Sequence, residues 1–311
     1  MTRKTSSPLD HFLQTRMAQA NISSTALVFT LFCDVVTQHG GEIWLGSVIH
    51  ALAPLGISER LTRTAVFRLV QEGWLQSRKQ GRRSYYSLTR TGQHYYQRAA
   101  KRIYAIGKPG WDGEWTLIFA SLVPRERRDA LRKGLLWLGY GVLASGVFAL
   151  PSGDRQPLNE LLADLELEDY IVQMQAQADQ AANPDNLQKL VMDRWDLDDL
   201  RHRFAEFTRQ YSRALKTLKL KQAPPGHSLF LLRVLLIHEY RRILLHDPEL
   251  PAAMMPPKWE GFAAQSIAAE IYRELAAPTA SWVNRELISA SGTLKGGTGV
   301  LKTRFCGEDH K

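Results

Sequence analysis

The chain has 311 residues and a formal net charge of +9 at pH 7, with 44% apolar and 23% charged residues, as in an ordinary globular protein. This length exceeds that of one usual domain, so we expect two or three domains, each able to bury its own core. Its two cysteines exclude a disulfide scaffold, and it lacks an apolar run long enough for a signal peptide or membrane span, so we expect a cytoplasmic protein without membrane association.

The excess positive charge is confined to the first third of the chain. Residues 1–108 hold 15 Lys and Arg against 5 Asp and Glu, whereas residues 109–311 hold 25 against 26. A basic excess that is concentrated in one segment favours a polyanionic or acidic partner for that segment.

This first third begins with a polar stretch, residues 1–22, which we predict to be a flexible N-terminus. A helix is then predicted over residues 24–38, because a glycine pair follows it. A second helix is predicted over residues 46–53, closed by a proline and a glycine.

The next helix carries residues suited to base recognition. It is predicted to begin after the N-cap Ser58 and to end before Gly73. Helical spacing gives it a buried face of Leu61, Thr62, Ala65, Val66, Leu69 and Val70. Its opposite face carries Arg60, Arg63, Thr64, Phe67, Arg68 and Gln71. Arginine and glutamine can bind base edges in a major groove. An aromatic ring on a polar face is costly in water, so we expect DNA, the following hairpin or a partner subunit to cover the Phe67 side chain.

A basic hairpin follows this helix, with extended segments beginning at Trp74 and resuming at Tyr85. The turn between them is flanked by Arg78, Lys79, Arg82 and Arg83. These cations repel one another unless an anion neutralises them, so Lys79, Arg82 and Arg83 are the predicted contacts to a DNA backbone or minor groove. With a closing helix over residues 91–104, the order is that of a winged helix-turn-helix, assigned to residues 23–108. A solvated basic surface is the alternative for both the helix and the hairpin.

The middle of the chain, residues 109–180, alternates between strand and helix patterns. Strands are predicted at residues 115–120, within 141–150 as a pair, and at 170–174; helices are predicted at residues 124–138 and 158–165. The order βαββαβ is that of a ferredoxin-like domain. This domain could pair two subunits.

The remainder is predicted to be an all-helical domain, residues 181–288, followed by a disordered tail, residues 289–311. Its helices are predicted at residues 187–195, 198–218, 229–245 and 259–275. The tail is rich in Gly, Thr, Ser and Lys and has no apolar periodicity.

Four residues of the helical domain are candidates for binding a small ligand: His238, Arg241, Arg242 and Trp259. The cations could meet a phosphate or carboxylate, and Trp259 could close an aromatic pocket. The alternatives are that the cations complement a helix C-terminus and that Trp259 belongs to the core. Known catalytic motifs are absent from the sequence, so no catalytic residue, metal site or cofactor is predicted, and the chain is expected not to be an enzyme.

Five stretches in order resemble the PaaX family of transcriptional repressors of phenylacetic acid catabolism. They are GGEIWLGS from Gly40, RTAVFRLVQEGWL from Arg63, GRRSYYSLT from Gly81, WDGEWTLIF from Trp111 and HEYRRILLHDPELP from His238. The resemblance covers roughly residues 22–283. It implies a winged helix-turn-helix, a middle domain similar to Cas2 and a helical C-terminal domain.

The resemblance also implies a function. Such a protein binds operator DNA and is released by phenylacetyl-coenzyme A, an effector rather than a cofactor. We expect a homodimer on a palindromic operator, with the acyl-coenzyme A held between the middle and C-terminal domains.

Two alternatives remain open. The Cas2 likeness allows a metal-dependent nuclease, although the first strand of the middle domain ends in Phe119-Ala120-Ser121, without a carboxylate for a hard cation. An interaction module that uses the basic face on an acidic protein is the other.

Overall fold

The computed structural model describes residues 7–19, 22–107, 110–151, 155–177, 184–220, 224–256, 258–297, 299 and 304–306. Its contacts divide the chain into two units. The first comprises Met1–Ile106, Ala205–Leu244 and Ala263–Lys311, and the second comprises Gly107–Phe204 and Leu245–Phe262. The predicted helical C-terminal domain is therefore distributed between the two units.

The described residues of the N-terminal part of the first unit form five α-helices and a three-stranded sheet. The elements are α1 (Pro8–Gln19), α2 (Ser24–Asp34), β1 (Glu42–Trp44), α3 (Leu45–Leu52), α4 (Glu59–Gln71), β2 (Leu75–Gln80), β3 (Arg83–Leu88) and α5 (Arg90–Ile103). The sheet is antiparallel, in the order β1-β3-β2. Its β2–β3 hairpin turns at Gly81, whose φ of 60° is the left-handed conformation that glycine adopts at low cost.

The helix α4 begins and ends where local sequence signals place it. The Ser58 side chain accepts a hydrogen bond from the backbone N–H of Leu61, 3.3 Å away, which satisfies one of the free donors of the first turn. Beyond the other end, Gly73 has a φ of 74°. The helices α2 and α3 both pack against α4.

The C-terminal part of the first unit comes from helices that pack onto this N-terminal part. The elements are α9 (Leu197–Leu218, from Ala205 onward), α10 (Gly226–Leu244), α11 (Glu260–Glu286, from Ala263 onward), β8 (Ile288–Ser289) and β9 (Gly292–Thr293). Every residue of α10 from Ser228 to Tyr240 is buried, and α10 packs against α1, α2, α3 and α5. A helix that is apolar on all sides must be covered on all sides, which explains why the N-terminal and C-terminal helices form one unit.

Two predictions of flexibility are wrong for the described residues. In the N-terminal stretch, α1 is a helix that buries Leu9 and Leu13. In the tail, β8 and β9 form a small hairpin, and Leu294, Arg304 and Phe305 are buried. Both segments gain order because they contact elements that are distant in the sequence, which composition and periodicity do not reveal.

The helix α11 also continues beyond its predicted end at residue 275. It passes through Pro278, which lacks the N–H that an internal helical residue donates. Burial of Thr279, Trp282 and Val283 on the far side of this proline offsets the missing bond.

The described residues of the second unit form a four-stranded antiparallel sheet and three α-helices that lie wholly within the unit. The elements are β4 (Glu114–Phe119), α6 (Arg128–Trp137), β5 (Gly141–Ala144), β6 (Val147–Pro151), α7 (Gln156–Asp164), β7 (Val172–Gln177) and α8 (Pro184–Arg194). The strand order is β5-β6-β4-β7. Leu131 and Leu135 of α6 and Leu158 of α7 pack with Ile118 and Phe148 of the sheet to form a buried core.

Within the described part of the chain, none of the helices combines the length and the apolar content that crossing a bilayer requires.

Candidate nucleic-acid interface

The helix α4 buries a narrower face than its sequence predicts. Thr62, Ala65, Val66 and Leu69 are buried, as expected. Leu61, however, is 49% exposed, which corrects its assignment to the buried face. Helical spacing places Leu61 at the edge of the buried face of α4. The neighbouring helices cover the centre of that face and leave the Leu61 side chain accessible to solvent.

All six residues of the predicted recognition face are exposed: Arg60, Arg63, Thr64, Phe67, Arg68 and Gln71. The ring of Phe67 is 65% exposed, so neither the hairpin nor the other described residues of the unit cover it. An aromatic ring surrounded by cations can contact an apolar group, such as a thymine methyl, while the cations meet phosphates or base acceptors.

One of these cations is already paired. The Arg63 guanidinium lies 2.7 Å from the Glu59 carboxylate one turn earlier, and both side chains are more than half exposed. The Thr64 hydroxyl donates to the carbonyl of Arg60, 2.9 Å away. Exposed ion pairs contribute only about 0.2–1 kcal/mol, so a phosphate or base can replace the Glu59 carboxylate as the partner of the Arg63 guanidinium.

The hairpin cations differ in how firmly they are held. The Arg78 guanidinium donates two hydrogen bonds to the Glu42 carboxylate, of 3.0 and 2.9 Å. These bonds raise the pKa of Arg78 above its ordinary value. The Arg83 guanidinium lies over the ring of Trp44, 4.6 Å from its centroid. Lys79 is exposed and makes no ion pair within the described part of the chain.

The strand β1 orients these hairpin side chains, and sequence reasoning missed it. It places Glu42 and Trp44 beside β3, with Trp44 opposite Tyr85. The sequence signal is weak, because the strand is only three residues long: Ile43 is buried, and Glu42 and Trp44 on either side of it are half-buried. The hairpin is thus braced by a third strand.

The four candidate ligand-binding residues differ in how far they are buried. His238 is fully buried, Arg242 is exposed, and Arg241 lies 5.5 Å from the centroid of the Phe29 ring. Trp259 is buried in the second unit, where its ring packs edge-on against Phe204 at a centroid distance of 6.1 Å. In this structure a ligand can reach Arg242, but not His238 or Trp259.

The buried His238 ring is held in its neutral form. Burial, and then the positive charges of Arg241 and Arg242, lower its pKa to about 3. The Thr30 hydroxyl lies 3.1 Å from its Nδ1 atom. This arrangement suits a helix-packing histidine rather than an anion-binding one.

Lowering the pH from 7.5 to 5 should destabilise the folded protein by roughly 2 kcal/mol through His238 alone. The unfolded chain takes up this proton below about pH 6.5, whereas the folded chain resists it until about pH 3. Stability is therefore lost as the pH falls through this window. The burial of His39, which also lowers its pKa, acts in the same direction. Urea unfolding at both pH values measures the loss.

The matched variants for this measurement are His238→Gln and His94→Gln, because His94 is exposed on α5. The His238→Gln variant should lose most of the additional destabilisation at pH 5, and His94→Gln should retain it. An unchanged pH dependence in His238→Gln would contradict the assignment.

A buried charge cluster at the end of α2 is the largest feature that sequence reasoning missed. The Asp34 carboxylate accepts hydrogen bonds from Arg233 at 2.7 Å and Arg304 at 2.6 Å, and from the hydroxyls of Tyr104 and Tyr272. Burial alone would raise the pKa of Asp34, but the two guanidinium groups outweigh it and hold the pKa below its ordinary value. The cluster joins three helices of the first unit to the C-terminal segment.

In the part of the chain that the structure describes, no three His, Cys, Asp or Glu side chains are grouped as metal ligands would be.

Three family models match successive parts of the chain. Residues 23–92 match the PaaX-like protein model, residues 108–188 match the central Cas2-like domain of the PaaX protein, and residues 195–285 match the C-terminal domain of PaaX-like proteins.

Individual relatives were also found. The transcriptional repressor PaaX of Escherichia coli (strain K12) is 33% identical over 303 residues, which cover 97% of this chain and 96% of the relative. Among solved structures, an uncharacterized protein from Mycobacterium tuberculosis is similar with a TM-score of 0.48 and 20% identity, over 80% of this chain and 96% of that chain.

Proposed function

Since this chain belongs to the PaaX family, we propose that it is a transcriptional repressor that binds operator DNA and controls genes for phenylacetate degradation. The observation that carries the proposal is the exposed basic face of α4 beside a basic hairpin, in a chain related over 97% of its length to a named repressor. On this proposal the protein is a cytoplasmic regulator and not an enzyme.

The DNA-binding element of this proposal is a winged helix-turn-helix. The helix α3 is followed by a turn and by α4, the recognition helix, and the β2–β3 hairpin is the wing. The antiparallel β1-β3-β2 sheet and the packing of α2 and α3 on α4 support this assignment.

The two basic elements have different roles. The α4 face, with Arg60, Arg63, Thr64, Phe67, Arg68 and Gln71, enters a major groove and reads base edges. On the wing, Lys79, Arg82 and Arg83 contact the backbone or the minor groove. The exposure of all nine side chains supports this division, because none has to leave a core to meet DNA.

The Cas2-like middle domain has a structural role in this proposal. Its strand order, β5-β6-β4-β7, and its antiparallel pairings support a ferredoxin-like arrangement. We place subunit pairing in this domain, so that a two-fold dimer meets a palindromic operator.

Phenylacetyl-coenzyme A is the proposed effector, and it releases the protein from DNA by binding a conformation that fits the operator poorly. It should dissociate the protein from a duplex that the protein has selected from a random pool, as measured by a mobility shift. Free phenylacetate and acetyl-coenzyme A, at the same concentrations, should leave the complex intact. Phenylacetate lacks the coenzyme, and acetyl-coenzyme A lacks the aryl group.

Each outcome of this titration tests a different part of the proposal. If acetyl-coenzyme A also released the DNA, the aryl group would not be required for effector recognition. Failure of every thioester would remove the effector and leave DNA binding standing. If the protein shifted no duplex at physiological salt, the repressor function itself would be overturned.

A further inference from the structure

The C-terminal segment returns across the first unit after α11 and contacts the proposed DNA-binding element. Its described residues, 287–297 and 304–306, are here named the C-terminal strap. The matching family models end at residue 285 and so do not include it. The strap has two separate sets of anchors.

The first anchors lie at α3 and β1. The backbone N–H of Ile288 donates to the Ser47 hydroxyl of α3, 3.0 Å away, and the β8 strand packs against β1. Farther along the strap, Gly297 lies directly on the His39 ring, with no room for a Cβ between them, at a φ of 84°. The strap therefore lies against the helix that precedes the recognition helix and against the strand that braces the wing.

The second anchor is the Arg304 side chain, which enters the Asp34 cluster. Its guanidinium donates to the Asp34 carboxylate at 2.6 Å and lies 4.1 Å from the centroid of the Tyr104 ring. Next to it, Phe305 is 1% exposed, and its backbone N–H donates to the carbonyl of Tyr104 at 3.0 Å. This end of the strap is as buried as the core.

Charge arithmetic indicates that Arg304 is not required to neutralise Asp34. Arg233 already pairs with this carboxylate, 2.7 Å away and fully buried. Arg304 adds a second cation to a single carboxylate, which a protein core tolerates only where the ion is well hydrogen-bonded. Its hydrogen bonds to the hydroxyls of Tyr272 and Tyr96 meet this need. The effect of the Arg304 side chain is therefore to anchor the C-terminal strap to the buried cluster.

We propose that the C-terminal strap positions α3 and β1, and through them the recognition helix and wing, so that fastening by Arg304 sets the affinity for DNA. The inference rests on the proposed DNA-binding function. It assigns to the strap a positioning role and no direct contact with DNA.

The test compares Arg304→Met with Arg285→Met in the full-length protein. Arg285 is exposed at the end of α11, so its loss removes the same charge without opening the buried cluster. Affinity is measured by fluorescence anisotropy on the selected duplex, and amide hydrogen exchange is measured across residues 42–52. Arg304→Met should weaken binding about fivefold or more and speed exchange in β1 and α3, whereas Arg285→Met should leave the exchange unchanged.

A second variant disturbs the strap without changing charge. Gly297→Ala places a Cβ against the His39 ring and strains a positive φ, so it should also weaken binding and speed exchange across residues 42–52. If Arg304→Met and Gly297→Ala both fold, and both bind and exchange as the unmodified protein does, the proposal is overturned.

Measurements on the unmodified protein keep the two proposals separate. Strap amides should be protected together with those of β1 and α3, and free exchange of the strap beside protected β1 and α3 would overturn the inference even if neither variant folds. If the unmodified protein bound no duplex, the repressor proposal would fail, whereas faster exchange in Arg304→Met would still show that the strap holds β1 and α3.

Discussion

Replacing Asp34 with Asn should destabilise the first unit by about 3 to 5 kcal/mol, a large share of the roughly 5 to 15 kcal/mol that holds a typical domain folded. The side chain keeps its size but loses its charge, so Arg233 and Arg304 remain buried without a carboxylate. An unpaired buried cation loses its hydration without compensation, and here there are two. Urea unfolding followed by circular dichroism measures the loss.

The control for this substitution is Asp198→Asn. Asp198 pairs with Arg201 at 3.0 Å, but both side chains are largely exposed, so this variant should lose no more than about 1 kcal/mol. Adding Arg304→Met to Asp34→Asn should recover part of the loss, because one of the two unpaired cations is removed. Equal losses in the two Asn variants would contradict a buried cluster.

The helix α4 and the β2–β3 hairpin could be predicted because their signals are local. The N-cap at Ser58, the glycine at position 73 and the turn at Gly81 each act within a few residues, and the structure places α4, β2 and β3 accordingly. Short-range hydrogen bonding and backbone preference favour such elements whatever the distant contacts are. Periodicity then identified which residues of α4 are exposed, apart from Leu61.

The packing of the C-terminal helices on the N-terminal part could not be predicted in the same way. Asp34 and Arg233 are 199 residues apart, and Asp34 and Arg304 are 270 residues apart. No local preference selects such partners. A partial signal existed, since Asp34 and Arg233 each interrupt an apolar helix, and an isolated charge inside a buried helix needs an opposite charge from elsewhere.

The candidate ligand residues show how a local reading can mislead. His238 and Arg242 share a helix face by spacing, which suggested a joint anion site. Yet apolar residues occupy every side of α10 before Arg241, so the helix is buried all round and His238 with it. The correct inference from that pattern is a packed histidine with a lowered pKa.

The different roles proposed for α4 and for the β2–β3 hairpin predict two different losses of DNA binding. Arg63→Ala should cost about 1 to 3 kcal/mol on the selected duplex and relax the preference for particular bases, because a base-edge contact is lost. The loss should lie toward the upper end, since Glu59 then faces the DNA without the guanidinium that now neutralises it. Competition binding against duplexes with single-base changes measures both effects.

Arg82→Ala should instead weaken binding to all duplexes about equally, and it should reduce the slope of log affinity against log salt by about one, as expected for one lost phosphate contact. Arg132→Ala, on the exposed surface of α6, removes the same charge away from α4 and the wing and controls for net charge. A base preference unchanged in Arg63→Ala, together with a salt slope unchanged in Arg82→Ala, would place the DNA elsewhere on the molecule. The exposed basic face of α4 and the hairpin would then fit an acidic protein partner better than DNA.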